Sequence, residues 1–404
     1  MSQAKPAVLH VVDTLTTGGA EIFVMRITQA MHEAGWPVSI FVCRPDRIER
    51  DQLARLAPGV SVVVAQIPLL GLLMKLDSLL FMLGLSFSCV RWWQVRRLVQ
   101  HIRRTKVAVL HSHLLTADLV VCGASIQTGV PFLSTMHGDY FRFASQGRYK
   151  ASRIFDFAAH FKAVDQQIGH VVCISGPQMA QWQSLSACVV PQGRISKIYN
   201  GYTPIAGLSA NVDAALASVP ADALLVGMVA RGTADKGWDV ILKAFIALDD
   251  PRAWLVLVGD GPFLRQLREG VVHPRIIFAG NVTNPANWVA RFHVACLPTR
   301  YDAESLPNTV VEYLFEGKPV LATDVGEIAA MLRAGTPGEA GETLAFASVD
   351  EMAAELARKL AVLLQDPVRR AALAANAQEA AQAFKMQHCL DQYFNLYRQL
   401  DEHA

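Results

Sequence analysis

Four side chains in the second half of the chain have the types and spacing to hold a ligand with two negative charges and several hydroxyls. The run ARGTADKGWDVILKAF follows an apolar segment, Leu224–Val229, and sets Arg231 and Lys236 on a turn just ahead of a helix-patterned stretch. A guanidinium presents a planar fork to phosphate oxygens and an ammonium presents a compact charge, so together they suit a diphosphate and can offset charge on a departing phosphate. Open parallel sheets bind ligands at the carboxyl edge of their strands, where helix N-termini also point N–H groups. Taken alone, an Arg and a Lys on a loop are more often explained by surface solvation.

The second group is Glu304-Ser-Leu-Pro-Asn-Thr-Val-Val-Glu312. Pro307 suits the first turn of a helix, which puts Glu304 just ahead of that helix and Glu312 nearly two turns inside it. Carboxylates accept hydrogen bonds from the vicinal hydroxyls of a ribose or a sugar, and the backbone N–H groups of Asn308 and Thr309 can face bound oxygens. A favourable acid at a helix start accounts for Glu304 without a ligand but leaves Glu312, on an apolar face, unexplained. In the first half, Gly18 and Gly19 follow the first strand-like run, and either make an ordinary tight turn or allow close backbone approach to a ligand. His137 in STMHGDY ends another strand beside Gly138 and Asp139, and His111 and His113 in VLHSHLL end a third. A lone histidine is more often structural, but a histidine at this sheet edge favours function.

Positioning such groups takes alternating strands and helices, and the chain supplies them. Apolar runs of strand length at Val8–Val12, Val38–Cys43, Val60–Val64, Val107–His111, Phe132–Met136 and Val171–Ile174 alternate with amphipathic stretches. The pattern resumes at Leu224–Val229, Trp254–Val258, Ile276–Ala279, Val294–Leu297 and Val320–Ala322. This is the signature of parallel sheets buried on both faces. At 404 residues, two α/β domains are expected, joined at the Gly-, Pro- and Ser-rich stretch 201–223. Three helices are expected at the end, over Met352–Leu364, Val368–Phe384 and Gln387–Leu400. The last buries Leu390, Tyr393, Phe394, Tyr397 and Leu400 along one face. Seven scattered cysteines without a Cys-x-x-Cys pair argue against a disulfide framework or a zinc site, and the N-terminus lacks a secretory pattern, so a reducing cytoplasmic setting is expected.

The net charge of +2 conceals an asymmetry: residues 1–200 carry 20 Lys+Arg against 11 Asp+Glu, and residues 201–404 carry 17 against 24. A basic half suggests an anionic surface or substrate, against the plain reading of solvated charges. Within it, the apolar stretch 67–90 is interrupted by Lys75 and Asp77 and is too short to span a bilayer. It is followed by RWWQVRRLVQHIRRTK, which contains no acid. Segment 67–106 therefore reads either as lying on an anionic membrane surface or as a core helix with a basic flank.

These motifs, in this order, resemble those of the retaining glycosyltransferases of family 4. The resemblance rests on Glu304-x7-Glu312, Arg231-x4-Lys236, VLVGDGP (257–262 at its core), GKPVLATDVG (317–326) and VVDTLTTGGAE (11–21), and it covers nearly the whole chain. It implies an α/β chain of GT-B type, with two Rossmann-like parallel-sheet domains facing an interdomain cleft. Residues 1–202 would bind the acceptor and 203–386 the nucleotide-sugar donor, with the C-terminal helix 387–404 packing back on the first domain. Arg231 and Lys236 would hold the donor diphosphate, Glu304 the donor sugar and Glu312 the ribose. Gly18, Gly19, Ser305, Leu306, Pro307, Asn308 and Thr309 would complete the donor site. His137 would act near the reacting carbon with Arg231, Lys236 and Glu304, while His111, Asp139, Tyr140 and Arg148 would lie on the acceptor side. Asn200-Gly201 resembles a structural turn of that family. Ser305-Leu306 stands where the family often has Gly-Phe, and Glu327 where a small residue is common, which bears on donor identity.

The implied activity is transfer of a sugar from a nucleotide-diphosphate donor to a glycan or lipid-linked acceptor, with retention, without a metal or other cofactor, in bacterial-type polysaccharide or lipopolysaccharide synthesis. No Asp-x-Asp pair is present, and no nucleic-acid partner is implied. The enzyme would be cytoplasmic or peripheral on the inner membrane face. Rivals are an acceptor-free epimerase or hydrolase on nucleotide sugars and a non-catalytic sugar-nucleotide binder. A dinucleotide oxidoreductase needs Gly-x-Gly-x-x-Gly after its first strand, which TLTTGGAE does not supply.

Overall fold

The computed structural model describes residues 5–16, 18–85, 87–138, 168–184, 192–204, 210–248 and 250–402. They divide into two compact units, one made of residues 1–201 and 386–404 and the other of residues 202–385.

The first unit is built on a sheet of seven parallel strands: β1 (Val8–Val12), β2 (Val38–Val42), β3 (Ser61–Val64), β4 (Val109–His113), β5 (Phe132–Met136), β6 (Ile168–Cys173) and β7 (Ile195–Lys197). The spatial order is β3-β2-β1-β4-β5-β6-β7. β1, β4 and β5 are buried along their whole length, as expected of strands covered on both faces. Among the described residues the helices are α1 (Gly19–Glu33), α2 (Arg50–Leu56), α3 (Leu70–Met82), α4 (Cys89–Arg104), α5 (Leu115–Thr128) and α6 (Gly176–Ser184). One face of the sheet packs Leu98, Val99 and Ile102 of α4 with Val120, Val121 and Ala124 of α5. The other packs Phe23, Ile27 and Met31 of α1 with residues of the chain's last helix.

The second unit carries six parallel strands: β8 (Leu224–Val229), β9 (Ala253–Val258), β10 (Ile276–Gly280), β11 (Val294–Leu297), β12 (Val320–Thr323) and β13 (Gly341–Leu344), in the order β10-β9-β8-β11-β12-β13. Its helices are α7 (Ala210–Ala215), α8 (Trp238–Ala247), α9 (Pro262–Glu269), α10 (Ala286–Val289), α11 (Asn308–Phe315), α12 (Ile328–Met331), α13 (Val349–Gln365) and α14 (Pro367–Ala380). The final helix, α15 (Met386–Glu402), belongs to the first unit, where Phe394 stacks on Trp36 with ring centroids 4.1 Å apart. In each sheet the strand order reverses at one crevice, between β1 and β4 and between β8 and β11. Such crevices are where open α/β sheets bind ligands.

Several sequence expectations shift. β4 starts two residues later than the apolar run Val107–His111 and ends at His113, because it pairs with β1 in the register Val8↔Val109 through Val12↔His113. The edge strands β7 and β13 were not foreseen, since ISK and GETL carry no apolar run. The stretch 201–223, read as a plain connection, holds α7. The described cysteines are unpaired.

Candidate active site

In the second unit the crevice is lined by the loops after β8 and β11, and backbone contact holds those loops together. The first ends in a 3-10 turn over Ala234–Lys236 and closes at Gly237, whose φ of 78° disfavours any side chain. A Cβ there would overlap the carbonyl oxygen of Pro298, so the two loops touch directly at this residue. Arg300 N–H donates to the Asp235 carbonyl at 2.7 Å, and the Thr299 hydroxyl donates to the same oxygen at 3.1 Å. Gly326, in the loop after β12, repeats the device: at φ 60° it lies against the carbonyl of Glu304.

This loop packing brings Lys236 Nζ to 2.6 Å from Glu304 Oε2, with the side chains only 12% and 13% exposed. Lys236 Nζ also lies 5.5 Å from the centre of the Tyr301 ring, and the Asp235 carboxylate is 4.0 Å away. A pair this buried survives only with good geometry, since taking both charges out of water costs several kcal/mol per ion. An ammonium has two further protons to donate, and the second carboxylate oxygen remains an acceptor. Arg231 heads the same loop with an exposed side chain, while its carbonyl accepts from Nε1 of the buried Trp238 at 2.8 Å.

α11 is fixed at the same crevice by Tyr313, which is fully buried. Its hydroxyl accepts from Val229 N–H at 2.8 Å and donates to the Cys296 carbonyl at 3.1 Å, bridging the ends of β8 and β11. Burial raises the phenol's pKa well above its ordinary value, so it stays protonated. Pro307 does not open the helix. With ψ at 115° it is extended and occupies the N-cap, so α11 begins at Asn308 and Glu312 lies little more than one turn in. Glu312, Asn308 and Thr309 are half-buried, whereas Ser305, Leu306 and Pro307 are buried. The Ser305 carbonyl accepts from Glu327 N–H at 3.0 Å.

In the first unit the crevice between β1 and β4 is filled by imidazoles. Strand alternation sets this arrangement: His111 and His113 are two residues apart and face the side covered by α1 and α15, as do His10 and Thr135. Ser112 and Ser134 face the opposite side, and both hydroxyls donate to Asp118 Oδ1 at 2.5 Å. Burial pushes the Asp118 carboxyl up to about 7 against the lowering effect of those hydroxyls. His10 Nδ1 is 2.9 Å from His113 Nε2, and His113 Nδ1 is 2.9 Å from His137 Nε2. His111 belongs to a separate chain, with Nδ1 bonded to the Tyr397 hydroxyl at 2.7 Å and Nε2 to the Thr135 hydroxyl at 2.8 Å. Thr135 in turn meets the Tyr393 hydroxyl at 2.8 Å. Desolvation lowers all four imidazoles, His10 and His137 to about 3.

His111 is thus fully buried with both ring nitrogens occupied, which leaves neither for an acceptor molecule. Asp139, Tyr140 and Arg148 lie outside the described residues. Gly18 is the N-cap of α1 and Gly19 its first residue. The space beside Gly18 is taken by the carboxylate of Glu21, which accepts from the Thr14 hydroxyl at 2.9 Å and from that of Thr16 at 3.3 Å. Sequence reasoning missed His10, Glu21, Asp118 and Tyr313, and took Tyr397 only for a core residue of the last helix. Only the two-residue spacing in HSH signalled that a second histidine would share a face with His111.

Residues 17–204 match the model described as Glycosyltransferase Family 4, and residues 223–366 match that of Glycosyl transferases group 1. No curated protein sequence matches the chain. Among solved structures, HepE of Anabaena in complex with UDP and glucose is similar at 18% identity and a TM-score of 0.71, over 96% of this chain and 98% of that one. Sucrose-phosphate synthase of Thermosynechococcus elongatus is similar at 20% identity and 0.73, over 98% and 100%. The lipopolysaccharide outer core galactosyltransferase WaaB is similar at 14% identity and 0.64, over 96% and 99%. At these identities the likeness shows the shared fold.

Proposed function

Because the chain belongs to the family 4 glycosyltransferases, of GT-B fold, we propose that it moves a sugar from a nucleoside diphosphate to a glycan or lipid-linked acceptor with retention at the anomeric carbon. The observation that carries this reading is the Lys236–Glu304 contact across the β8/β11 crevice. It sets a cation suited to a diphosphate beside a carboxylate suited to sugar hydroxyls. Arg231 extends the positive charge along the same loop, Glu312 takes the ribose, and Ser305 to Thr309 shape the space between. Catalysis then rests on placing both substrates and on stabilising charge on the leaving phosphate. In the same-face route, the bond from the anomeric carbon to the leaving oxygen breaks as the bond to the acceptor oxygen forms. The acceptor's proton passes to the leaving phosphate, so no carboxylate nucleophile is required. Arg231 and Lys236 supply the positive charge, and no resident metal enters the proposal.

UDP and glucose bound to the Anabaena relative make UDP-glucose the first donor to test. Thermal-shift screening of nucleoside diphosphates and their sugars is the experiment, since a ligand confined to the folded state raises its stability. Stabilisation by at least one of them, lost in Lys236→Ala, is expected; no response to any would sink the reading. Label from the donor should reach a glycan or lipid product. Free sugar or an epimerised donor as sole product would favour the acceptor-free alternative.

An acceptor at a membrane surface fits the hairpin of α3 and α4. α3 buries none of its residues, and Leu69, Leu72, Met82 and Leu83 are more than 60% exposed. Its one acid, Asp77, accepts from Cys89 and Val90 N–H and the Ser88 hydroxyl, so it caps α4 and ties the two helices together. α4 buries Leu98, Val99 and Ile102, and Arg96 lies over the rings of Trp92 and Trp93. An apolar helix beside a basic one suits an anionic lipid surface, as in a peripheral enzyme of envelope polysaccharide or lipopolysaccharide synthesis. Among the described residues no helix is long and apolar enough to cross a membrane. Sedimentation with anionic but not neutral vesicles at low salt is expected, and equal recovery with both would overturn this part.

A further inference from the structure

His10 is a fully buried titratable group of the first unit that the proposed chemistry does not use, and its environment gives a direction to the whole imidazole chain. Its Nε2 lies 3.4 Å from the sulfur of Met31, which carries no proton and can only accept. The N–H of a neutral His10 therefore belongs on Nε2, which leaves Nδ1 as an acceptor. His113 must then donate from Nε2 across 2.9 Å, and its own Nδ1 becomes an acceptor. His137 in turn donates from Nε2 across 2.9 Å to His113, which leaves a bare lone pair on His137 Nδ1. The opposite polarity would set a lone pair of His10 against the sulfur and bury an unpaired N–H on His137. That Nδ1 is buried and has no hydrogen-bond partner among the described residues.

We propose that His10 and His113 are positioning residues that hold His137 in the Nε2–H tautomer, so that its Nδ1 stays free to accept a hydrogen bond from a hydroxyl-bearing ligand of this unit. The inference rests on the sugar-transfer reading for its ligand and on the geometry of this unit for the tautomer. Desolvation keeps all three rings neutral, a condition the chain requires because a cationic imidazole would have no lone pair to accept with. The rings are also held in place: His10 and His113 stack with centroids 5.1 Å apart, and His113 and His137 at 5.2 Å. His10, His111 and His113 could be taken for a metal triad. Both nitrogens of His111 are bonded to hydroxyls, however, and both of His113 to other imidazoles, which leaves no free lone pair on either ring.

The test is imidazole 15N–1H correlation spectroscopy on the full chain labelled at histidine, with His137 assigned through His137→Gln. The proton of His137 is expected on Nε2. In Met31→Leu, which keeps the volume and removes the sulfur, His137 should become a mixture of tautomers. Its kcat should fall about two- to tenfold, the worth of one hydrogen bond, at unchanged KM for the donor. A proton on Nδ1 in the wild-type protein would overturn the inference, and so would the same His137 tautomer in folded Met31→Leu and His113→Phe. If neither variant folds, the wild-type spectrum alone decides. A chain that shows the expected tautomer yet turns over no nucleotide sugar would sink the transfer reading and leave the tautomer chain standing. The wrong tautomer in an active transferase would do the reverse.

Discussion

The two crevices are topological equivalents with opposite electrostatics. Each lies where a parallel sheet reverses its strand order, and each is bridged by side chains from the elements on either side. Between β8 and β11 the bridge is an ion pair, Lys236 with Glu304. Between β1 and β4 it is a set of imidazoles kept neutral by burial. The same sheet order therefore dictates where a ligand is met and leaves open how, so function has to be argued from the side chains at each crevice. The difference is local in origin. The charged bridge rests on loops, which reach water and can retain ions, whereas the neutral one begins on the strand residues His10, His111 and His113, each at 0% exposure.

The comparison breaks most visibly at Lys236. Lys236→Ala is expected to lower kcat/KM by about 10²–10³-fold, on the order of removing one preorganised group that stabilises a leaving group's charge. Steady-state kinetics with the donor identified by thermal shift would check it, and a loss below tenfold would mean the charged crevice is not where the diphosphate sits. Next in size is Gly237→Ala. A methyl at φ 78° directed at the Pro298 carbonyl should cost about 2–4 kcal/mol and separate the loops that carry Lys236 and Glu304. Donor affinity should fall along with the denaturation midpoint. Full affinity in the variant would show that the loops hold their geometry without that contact.

What the sequence made legible follows the same divide. Lys236, Glu304 and the glycines around them sit in short runs whose composition is itself the signal, and the apolar strands β8 and β11 are recognisable from residue type alone. The neutral crevice was opaque, because its members come from β1, α1, β4, β5 and α15 and meet only in space. Tyr397 and His111 are 286 positions apart, and periodicity shows that Tyr397 is buried without showing against what. Asp118 sits in the first turn of α5, a place where an acid needs no special partner. Its partners, Ser112 and Ser134, emerge only once strand register places both under that helix.

Asp118 also gives the first unit its own pH signature. Its folded-state pKa of about 7 lies above the ordinary value of 3.8, so between those values the native state holds a proton the unfolded chain has released. This contribution to stability is complete below about 4 and is lost as pH rises through 7. Between pH 5 and 8 the wild-type protein should therefore lose roughly 2–3 kcal/mol that Asp118→Asn does not lose. Urea denaturation of both proteins at the two pH values would measure it. Parallel pH dependence in the two would mean that Asp118 is already ionised in the fold.

The smallest expected effect separates the two chains inside the neutral crevice. His111 lies against His113 with centroids 4.0 Å apart and the rings tilted by 35°, but shares no hydrogen bond with it, because its nitrogens are taken by Tyr397 and Thr135. Tyr397→Phe deletes one hydroxyl from the face of α15 and should cost about 1–2 kcal/mol by leaving His111 Nδ1 unpaired. It touches neither Met31 nor the bonds that join His10, His113 and His137, so the His137 tautomer and kcat should stay at wild-type values. A fall in kcat comparable to that of Met31→Leu would show that the neighbouring rings act as one network. His111 and α15 would then have to be counted among the groups that position His137.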